Sequence, residues 1–263
     1  MRAKDARVPL TDRGVLYGDG VFETVRIHRG APFRLDRHLD RLLRGLKTLR
    51  IDAPPRLTDI RGGAKALVAA CKMGEGLVRV TVTAADGDSP ARISIVPREL
   101  PAPPKDVVLH LVESVRRTPG PLSACKAISR AVESTALREA QAHGAFDGVL
   151  VNDAGRLVET TSRNLFLVVD GRIATPPASE GALEGVTREA VLELAGKIGI
   201  RAAEAPLARV SLDRATEAFL TGSGVGVLGV ARLGPRAWSG VPGPLTAPLA
   251  HAYRDLLDAD ARW

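Results

Sequence analysis

Three groups of residues in this chain have the types and spacing that carbonyl chemistry needs. The first is Lys126, which follows the break Pro119-Gly120-Pro121 and Cys125 and stands just before a stretch of helical character. A lysine partly desolvated at a domain junction can lose its proton and attack a carbonyl, as Schiff-base chemistry requires. Lysines are mostly solvated surface residues, and position alone leaves both readings open. The second group is Glu159 and Asn164, in the small-residue run Gly155-Arg156-Leu157-Val158-Glu159-Thr160-Thr161-Ser162-Arg163-Asn164-Leu165-Phe166. A buried carboxylate there can keep the ring nitrogen of a cofactor protonated; a polar hairpin with a solvated acid fits the same residues.

The third group is a pair of anion cradles. Gly185-Val186-Thr187 opens a helix, where free N–H groups and the helix dipole favour an anion. Thr221-Gly222-Ser223-Gly224 follows a strand and can form a backbone nest with a hydroxyl donor. Each also fits an ordinary glycine turn or a capping threonine. A lysine, a carboxylate and two anion cradles in one half of the chain together point to a phosphate-bearing aldehyde cofactor.

The elements that must position these groups follow an α+β pattern. Residues 21–28 alternate and are β-rich, so they form a strand after the turn Gly18-Asp19-Gly20. Leu35, Leu39, Leu42, Leu46 and Leu49 recur at helical spacing and make one apolar stripe. A second helix fits 57–73, and strands fit 77–83 and 93–96 around the turn-forming Ala85-Asp86-Gly87-Asp88. A strand over 107–115 lies between two proline-rich stretches. After them come a helix over 131–143, strands at 148–151, 157–159 and 165–169, a helix over 187–198, strands near 202 and over 217–221, and a last helix from 247 onward. Proline and glycine at 118–123 break regular structure and mark a linker between domains 1–117 and 124–263, the second of which binds the cofactor.

Composition narrows the function classes. Of the 263 residues 45% are hydrophobic and 25% charged, the profile of an ordinary globular protein with room for a core. No window approaches the roughly 20 apolar residues of a membrane span, and the opening MRAKDARVPL lacks the apolar stretch of a signal peptide. Two cysteines without a CxxC pair and five scattered histidines give no metal site, and a cytoplasmic protein is expected. The net charge of +7 is spread along the chain without aromatic–basic interleaving. Nucleic acid is therefore not expected as a partner; a positive field that attracts a phosphate cofactor and an acidic substrate accounts for the charge more simply.

The run Asp12-Arg13-Gly14-Val15-Leu16-Tyr17-Gly18-Asp19-Gly20-Val21-Phe22-Glu23-Thr24-Val25-Arg26 resembles the N-terminal signature of class IV (fold type IV) aminotransferases. Their second signature is similar to Val158-Glu159-Thr160-Thr161-Ser162-Arg163-Asn164-Leu165-Phe166, followed by Gly185-Val186-Thr187-Arg188. Order and spacing match from about Asp12 to about Gly226. The resemblance implies a fold type IV enzyme with a small N-terminal α/β domain, a larger C-terminal pseudo-barrel domain and pyridoxal 5'-phosphate between them. It also implies a homodimer in which a loop of one subunit completes the other's pocket.

By the same resemblance Lys126 carries the cofactor and moves the substrate's proton, and Glu159 pairs with the pyridine nitrogen. Arg41 takes the family's phosphate-binding arginine position, with Thr187, Ser223 and the N–H groups near Val186 completing the cradle. Asn164 supports the loop of Glu159. Helical projection by itself places Arg41 about 120° from the leucine stripe, on the solvent side, at roughly 100° per residue.

Branched-chain and D-amino-acid transaminases and 4-amino-4-deoxychorismate lyases share this scaffold, and the lyase forms 4-aminobenzoate, a folate precursor, and pyruvate. Thr24 and Arg130 are similar to the lyase pattern, and Arg79 stands where lyases tend to carry a lysine and branched-chain enzymes can place an arginine, whereas Tyr17 is a familiar transaminase choice and Ser129 stands where asparagine is common. Residues 83–90 contain no counterpart of the arginine-x-histidine carboxylate trap of D-amino-acid transaminases. The expected substrate is a small amine bearing carboxylates, with Arg26, Arg79 and Arg130 as its candidate partners, since arginine pairs with carboxylates in a bidentate fork. Each of the three also fits a structural arginine in an arginine-rich chain. The lyase reading leads and transamination follows it; a non-catalytic basic binding module would have no need of Lys126, Glu159 and Arg41 together.

Overall fold

The structure is a computed structural model that describes residues 5–51, 56–87 and 89–263. Two compact units emerge, and no single cut in the chain separates them. The first takes the described residues up to Leu100 together with Cys125–Arg130 and Leu257–Trp263; the second takes Pro101–Ala124 and Ala131–Leu256. Residues 118–123, expected as a linker, lie within the second unit, and Lys126 belongs to the first.

The first unit contains α1 (Arg13–Tyr17), β1 (Gly20–His28), β2 (Ala31–Pro32), α2 (Leu35–Thr48), α3 (Leu57–Ala70), β3 (Gly76–Thr83) and β4 (Arg92–Arg98). Its antiparallel sheet runs β2-β1-β3-β4. Strand side chains alternate between faces, so Val21, Val25 and Ile27 of β1 share a face with Val78, Val80 and Val82 of β3. Against that face pack Leu35, Leu39, Leu42 and Leu46 of α2 and Ile60, Ala64 and Val68 of α3. Gly18 ends α1 in the left-handed region (φ 68°), where a Cβ would come within 3.0 Å of Ser129. The turn expected at 85–88 ends at Asp88, outside the described residues.

Lys126 is placed by the free edge of β1. The Phe22 N–H donates to the Lys126 carbonyl at 2.9 Å and the Ile128 N–H to the Gly20 carbonyl at 3.0 Å, with Val21 bridged to Ala127. A three-residue segment thus pairs with the start of β1 and fixes the lysine backbone to a sheet.

The second unit contains β5 (Val108–Leu111), α4 (Ala131–Ala142), β6 (Asp147–Val151), β7 (Leu157–Thr160), β8 (Asn164–Val169), β9 (Arg172–Thr175), α5 (Val186–Lys197), β10 (Ala202–Glu204), α6 (Ser211–Arg214), β11 (Ala215–Gly222), β12 (Gly226–Gly229), β13 (Arg232–Leu233), β14 (Arg236–Ala237) and most of α7 (Thr246–Asp260). A curled sheet runs β10-β9-β8-β7-β6-β5-β13-β14, with β11 paired to both β8 and β12. Strands β6 and β7 are buried at every position. Strands covered on both faces read as apolar runs rather than as alternation. Leu165, Leu167, Leu157, Val149 and Leu220 form one core layer, and Phe166 stacks on Phe219 at 4.6 Å between centroids.

The strand expected over 107–115 is shorter because its continuation bonds elsewhere. The Glu113 and Ser114 N–H groups donate to the Glu139 carboxylate at 2.9 and 3.1 Å, and no longer to a neighbouring strand. No helix among the described residues is long and apolar enough to cross a membrane.

Candidate active site

In the first unit the chemistry gathers around Phe22. Phe22 and Thr24 project from the face of β1 opposite the leucine core, and Thr24 is the direct cross-strand partner of Arg79. The Phe22 ring has Arg79 Cζ at 3.7 Å, Lys126 Nζ at 4.7 Å and Arg130 Cζ at 5.6 Å from its centroid. Aromatic faces attract cations, which lets three of them share one ring. Burial, followed by the charges of Arg98 and Arg130, pulls Arg79 down to about 10. A desolvated guanidinium repelled by its neighbours is stabilised by an anion placed beside it.

The opposite face of β1 carries a buried ionic set that apolar periodicity does not reveal. Arg41 is only 6% exposed, which corrects the solvent-side position given by helical projection. The physical reason is Glu23, the one acid among the inward residues of β1, which draws the guanidinium under the helix. Arg41 Nε and Nη2 donate to the two Glu23 oxygens at 2.7 Å each, and His38 Nδ1 lies 2.7 Å from Oε2. Burial opposes the Glu23 charge, but Arg41's charge and hydrogen bonds, aided by His38, hold the carboxyl well below its ordinary range. Burial lowers His38 against the pull of Glu23, and the charges of Arg41 and Lys126 add to that lowering. The sequence signal for the set was present: an acid at an inward strand position, and His38 and Arg41 at i, i+3 on the facing helix.

Two other sequence candidates are not gathered around the Phe22 ring. Arg26 Nη2 is engaged by Glu75 Oε2 at 2.7 Å. Tyr17 ends α1 with its side chain exposed and Arg13 Cζ 5.1 Å from its ring centroid.

The second unit holds the carboxylate and the anion cradles. Glu159 is buried, which corrects the solvated-hairpin alternative. Asn164 Nδ2 donates to its Oε2 at 3.0 Å, the Leu183 N–H to the same oxygen at 3.2 Å, and Arg117 Nη2 lies 3.3 Å from Oε1. Glu159 pairs with Asn164 between β7 and β8, and Asn164 pairs with Thr221 between β8 and β11, so the three occupy one row across the sheet. Sequence reading had no signal for Arg117, Phe22 or the Leu183 amide.

Asn164 also donates to the Leu183 carbonyl at 2.8 Å and lies so near Gly185 that a Cβ there would fall 2.0 Å from its Oδ1. Glycine is therefore required where the loop enters α5. Gly185 caps α5 without a side-chain hydrogen bond, and Val186 and Thr187 begin the helix buried. The first-turn N–H groups of a helix have no intrahelical partner and sit at the positive end of its dipole. Thr221 is 1% exposed with an Oγ1 that makes no hydrogen bond, and half-buried Ser223 follows in the β11–β12 turn. The clamped Glu159 carboxylate can accept from a protonated ring nitrogen, while the helix start and the unsatisfied Thr221 hydroxyl can donate to a phosphate, which is the set that a phosphorylated, nitrogen-containing ring calls for. Among the described residues no cluster of three or more His, Cys, Asp or Glu side chains could hold a metal ion.

The structure of a 4-amino-4-deoxychorismate lyase from Pseudomonas aeruginosa is similar at 32% identity, TM-score 0.84, covering 96% of each chain. A branched-chain aminotransferase from the thermophilic archaeon Thermoproteus uzoniensis, with norvaline, is similar at 28% identity and TM-score 0.90, over 98% of this chain and 92% of that one. A D-alanine aminotransferase of Bacillus licheniformis is 28% identical over 97% of this chain and 93% of its own length. Residues 20–233 match the family model described as amino-transferase class IV. That match spans most of the 263 residues, and the chain belongs to the class IV amino-transferase family.

Proposed function

We propose that this enzyme is a 4-amino-4-deoxychorismate lyase, releasing 4-aminobenzoate and pyruvate from a substrate with two carboxylates. The observation that carries the reading is the basic set on the Thr24 face of β1: Arg79 opposite Thr24, with Arg79, Arg130 and Lys126 around Phe22. Guanidinium forks hold carboxylates in a fixed plane, and Arg79 gains from such an anion because its neighbours repel it.

Pyridoxal phosphate, the cofactor of the family, supplies when bound an aldehyde for the substrate amine and a ring that accepts electrons. Lys126 carries it. Thr187, Ser223 and the N–H groups at Val186 hold its phosphate together with Arg41, whose charge Glu23 fixes in place. Glu159, oriented by Asn164, holds a proton at the ring nitrogen. Lys126 Nζ removes the proton from the substrate carbon that bears the amine. The C–O bond to the enolpyruvyl group then breaks, the six-membered ring becomes aromatic, and the departing enolpyruvate gains a proton to become pyruvate. Thr24 is the hydroxyl assigned to position or protonate that leaving group.

Amino-acid transamination is the second reading, favoured by Tyr17 and by the full-length similarity to aminotransferases. The same basic set would then take the carboxylate of an amino or keto acid, with Arg26 further along the strand. Comparing kcat/KM for aminodeoxychorismate with kcat/KM for L- and D-amino acids in the presence of 2-keto acids tests the proposal. A preference for aminodeoxychorismate supports the lyase, and a preference for an amino acid replaces it.

The working form in this reading is a homodimer in the cytoplasm. Leu10, Val15, Leu16 and Tyr17 are 82%, 53%, 54% and 67% exposed, an apolar group that a second copy would cover. Cys71 and Cys125 are not joined in a disulfide, as a reducing compartment permits. Light scattering at assay concentration reads the mass, and a monomer would remove the dimer from the account.

A further inference from the structure

We propose that Arg117 is a positioning residue for Glu159, held in its working orientation by Glu133; the inference rests on Glu159 being the partner of the cofactor's ring nitrogen. Arg117 lies in a proline-rich segment without regular structure, yet its side chain is only 14% exposed. Nε donates to the Gly181 carbonyl at 3.1 Å and Nη2 to the Ser123 carbonyl at 2.9 Å, while Nη1 donates to Glu133 Oε1. The Arg117 N–H donates to the Val151 carbonyl at 2.9 Å, which ties the segment to β6. A planar fork fixed at this many points has one orientation, and in it Nη2 stands 3.3 Å from Glu159 Oε1.

The consequence falls on Glu159. Its Oε2 is held by Asn164 and the Leu183 N–H, and its Oε1 faces Arg117. A carboxylate held at both oxygens cannot rotate, and a cation beside it favours the ionised form. An ionised, oriented Glu159 accepts a hydrogen bond from a protonated ring nitrogen; a protonated carboxyl would present a donor instead. Glu133, 9% exposed, offsets part of the guanidinium charge, so that Arg117 fixes Glu159 without repelling a protonated ring beside it.

The test uses the full-length enzyme and the variants Arg117→Gln, Arg117→Lys and Glu159→Gln. Three readouts are followed: apoenzyme melting temperature, pyridoxal-phosphate dissociation constant, and the pH dependence of bound-cofactor absorbance. Loss of an outer-shell partner typically costs at least about tenfold where it orients a ligating group, but Arg117 acts through Glu159, so Arg117→Gln is expected to weaken cofactor binding no more than Glu159→Gln does, by less than about tenfold. It should move the pH profile in the same direction as Glu159→Gln, with Arg117→Lys restoring most of it. A profile that moves in Glu159→Gln and stays at wild type in Arg117→Gln overturns the role of Arg117 and leaves that of Glu159 standing. A profile that moves in neither overturns both. If Arg117→Gln does not fold, Glu133→Gln, which loosens Arg117 without removing it, carries the same comparison: a shifted profile supports the proposal and an unchanged one overturns it.

Discussion

Thr24 and Arg79 are directly opposite each other across the antiparallel β1–β3 ladder, on the face that carries Phe22. A hydroxyl and a desolvated guanidinium thereby share one patch with the lysine that pairs with the edge of β1. Directly opposed side chains on a sheet have Cβ atoms roughly 4.5–5.5 Å apart, close enough to act on one ligand. Their effects should nonetheless separate, because one is assigned to the leaving group and the other to a carboxylate.

Replacing Arg79 with alanine removes a charge-assisted contact worth about 1.5–3 kcal/mol, so KM for aminodeoxychorismate should rise roughly ten- to a hundredfold with a smaller change in kcat. Replacing Thr24 with alanine should do the reverse, lowering kcat about a hundredfold, the lower end of acid–base contributions. Steady-state kinetics on both variants reads the split. Equal losses in both parameters for both residues would deny them separate roles.

Lys126→Ala should abolish turnover and the borohydride-stable attachment of pyridoxal phosphate to the protein. Mass spectrometry after reduction reads the attachment. A label retained at full stoichiometry in the variant would mean that another amine carries the cofactor.

Glu159→Gln keeps shape and hydrogen bonding but cannot hold a proton at the ring nitrogen by charge. Turnover should fall by at least about a hundredfold, while the cofactor dissociation constant changes by less than about tenfold. Parallel loss of both would make Glu159 a structural residue.

The Glu23–His38–Arg41 set predicts an acid-sensitive component of stability. The folded carboxyl titrates below its ordinary value of 4.5, so folding favours the ionised form. That contribution is complete above pH 4.5 and is lost as pH falls below it. Denaturant melts between pH 7 and 3 should show wild type losing stability over the acid end more steeply than Glu23→Gln. The variant itself, leaving Arg41 buried beside a neutral amide, should be destabilised by about 3–5 kcal/mol at pH 7. Parallel pH curves would refute the assignment.

Much of the fold was legible because it rests on periodicity. The leucines of α2 and the alternation of β1 repeat with the spacing of the faces they bury, and the structure places both in the core of the first unit. Arg41 was misplaced by the same reasoning, since a helical projection of apolar residues has no means of seeing a carboxylate arriving from a strand. Glu159 was recognised by its motif, but the clamp on its carboxylate depends on the Leu183 amide and on Arg117, both distant from the local pattern. Arg117 was invisible for a related reason: the prolines and glycine around it read as a linker, whereas its side chain is anchored by the Ser123 carbonyl at the end of that stretch and by the distant Gly181 carbonyl. The strands β13 and β14 have two residues each, too few for any alternation to register.

The central claim is that this enzyme eliminates rather than transaminates. A lyase regenerates pyridoxal phosphate on every cycle, whereas a transaminase leaves pyridoxamine phosphate until a keto acid arrives. The most direct measurement is therefore 4-aminobenzoate formed per mole of cofactor-loaded enzyme from aminodeoxychorismate with no keto acid present, read alongside the cofactor's absorbance. Many equivalents of 4-aminobenzoate with the absorbance of the lysine-bound cofactor maintained is the predicted result. No 4-aminobenzoate, together with bleaching to the pyridoxamine form when L- or D-amino acids are added, would contradict it.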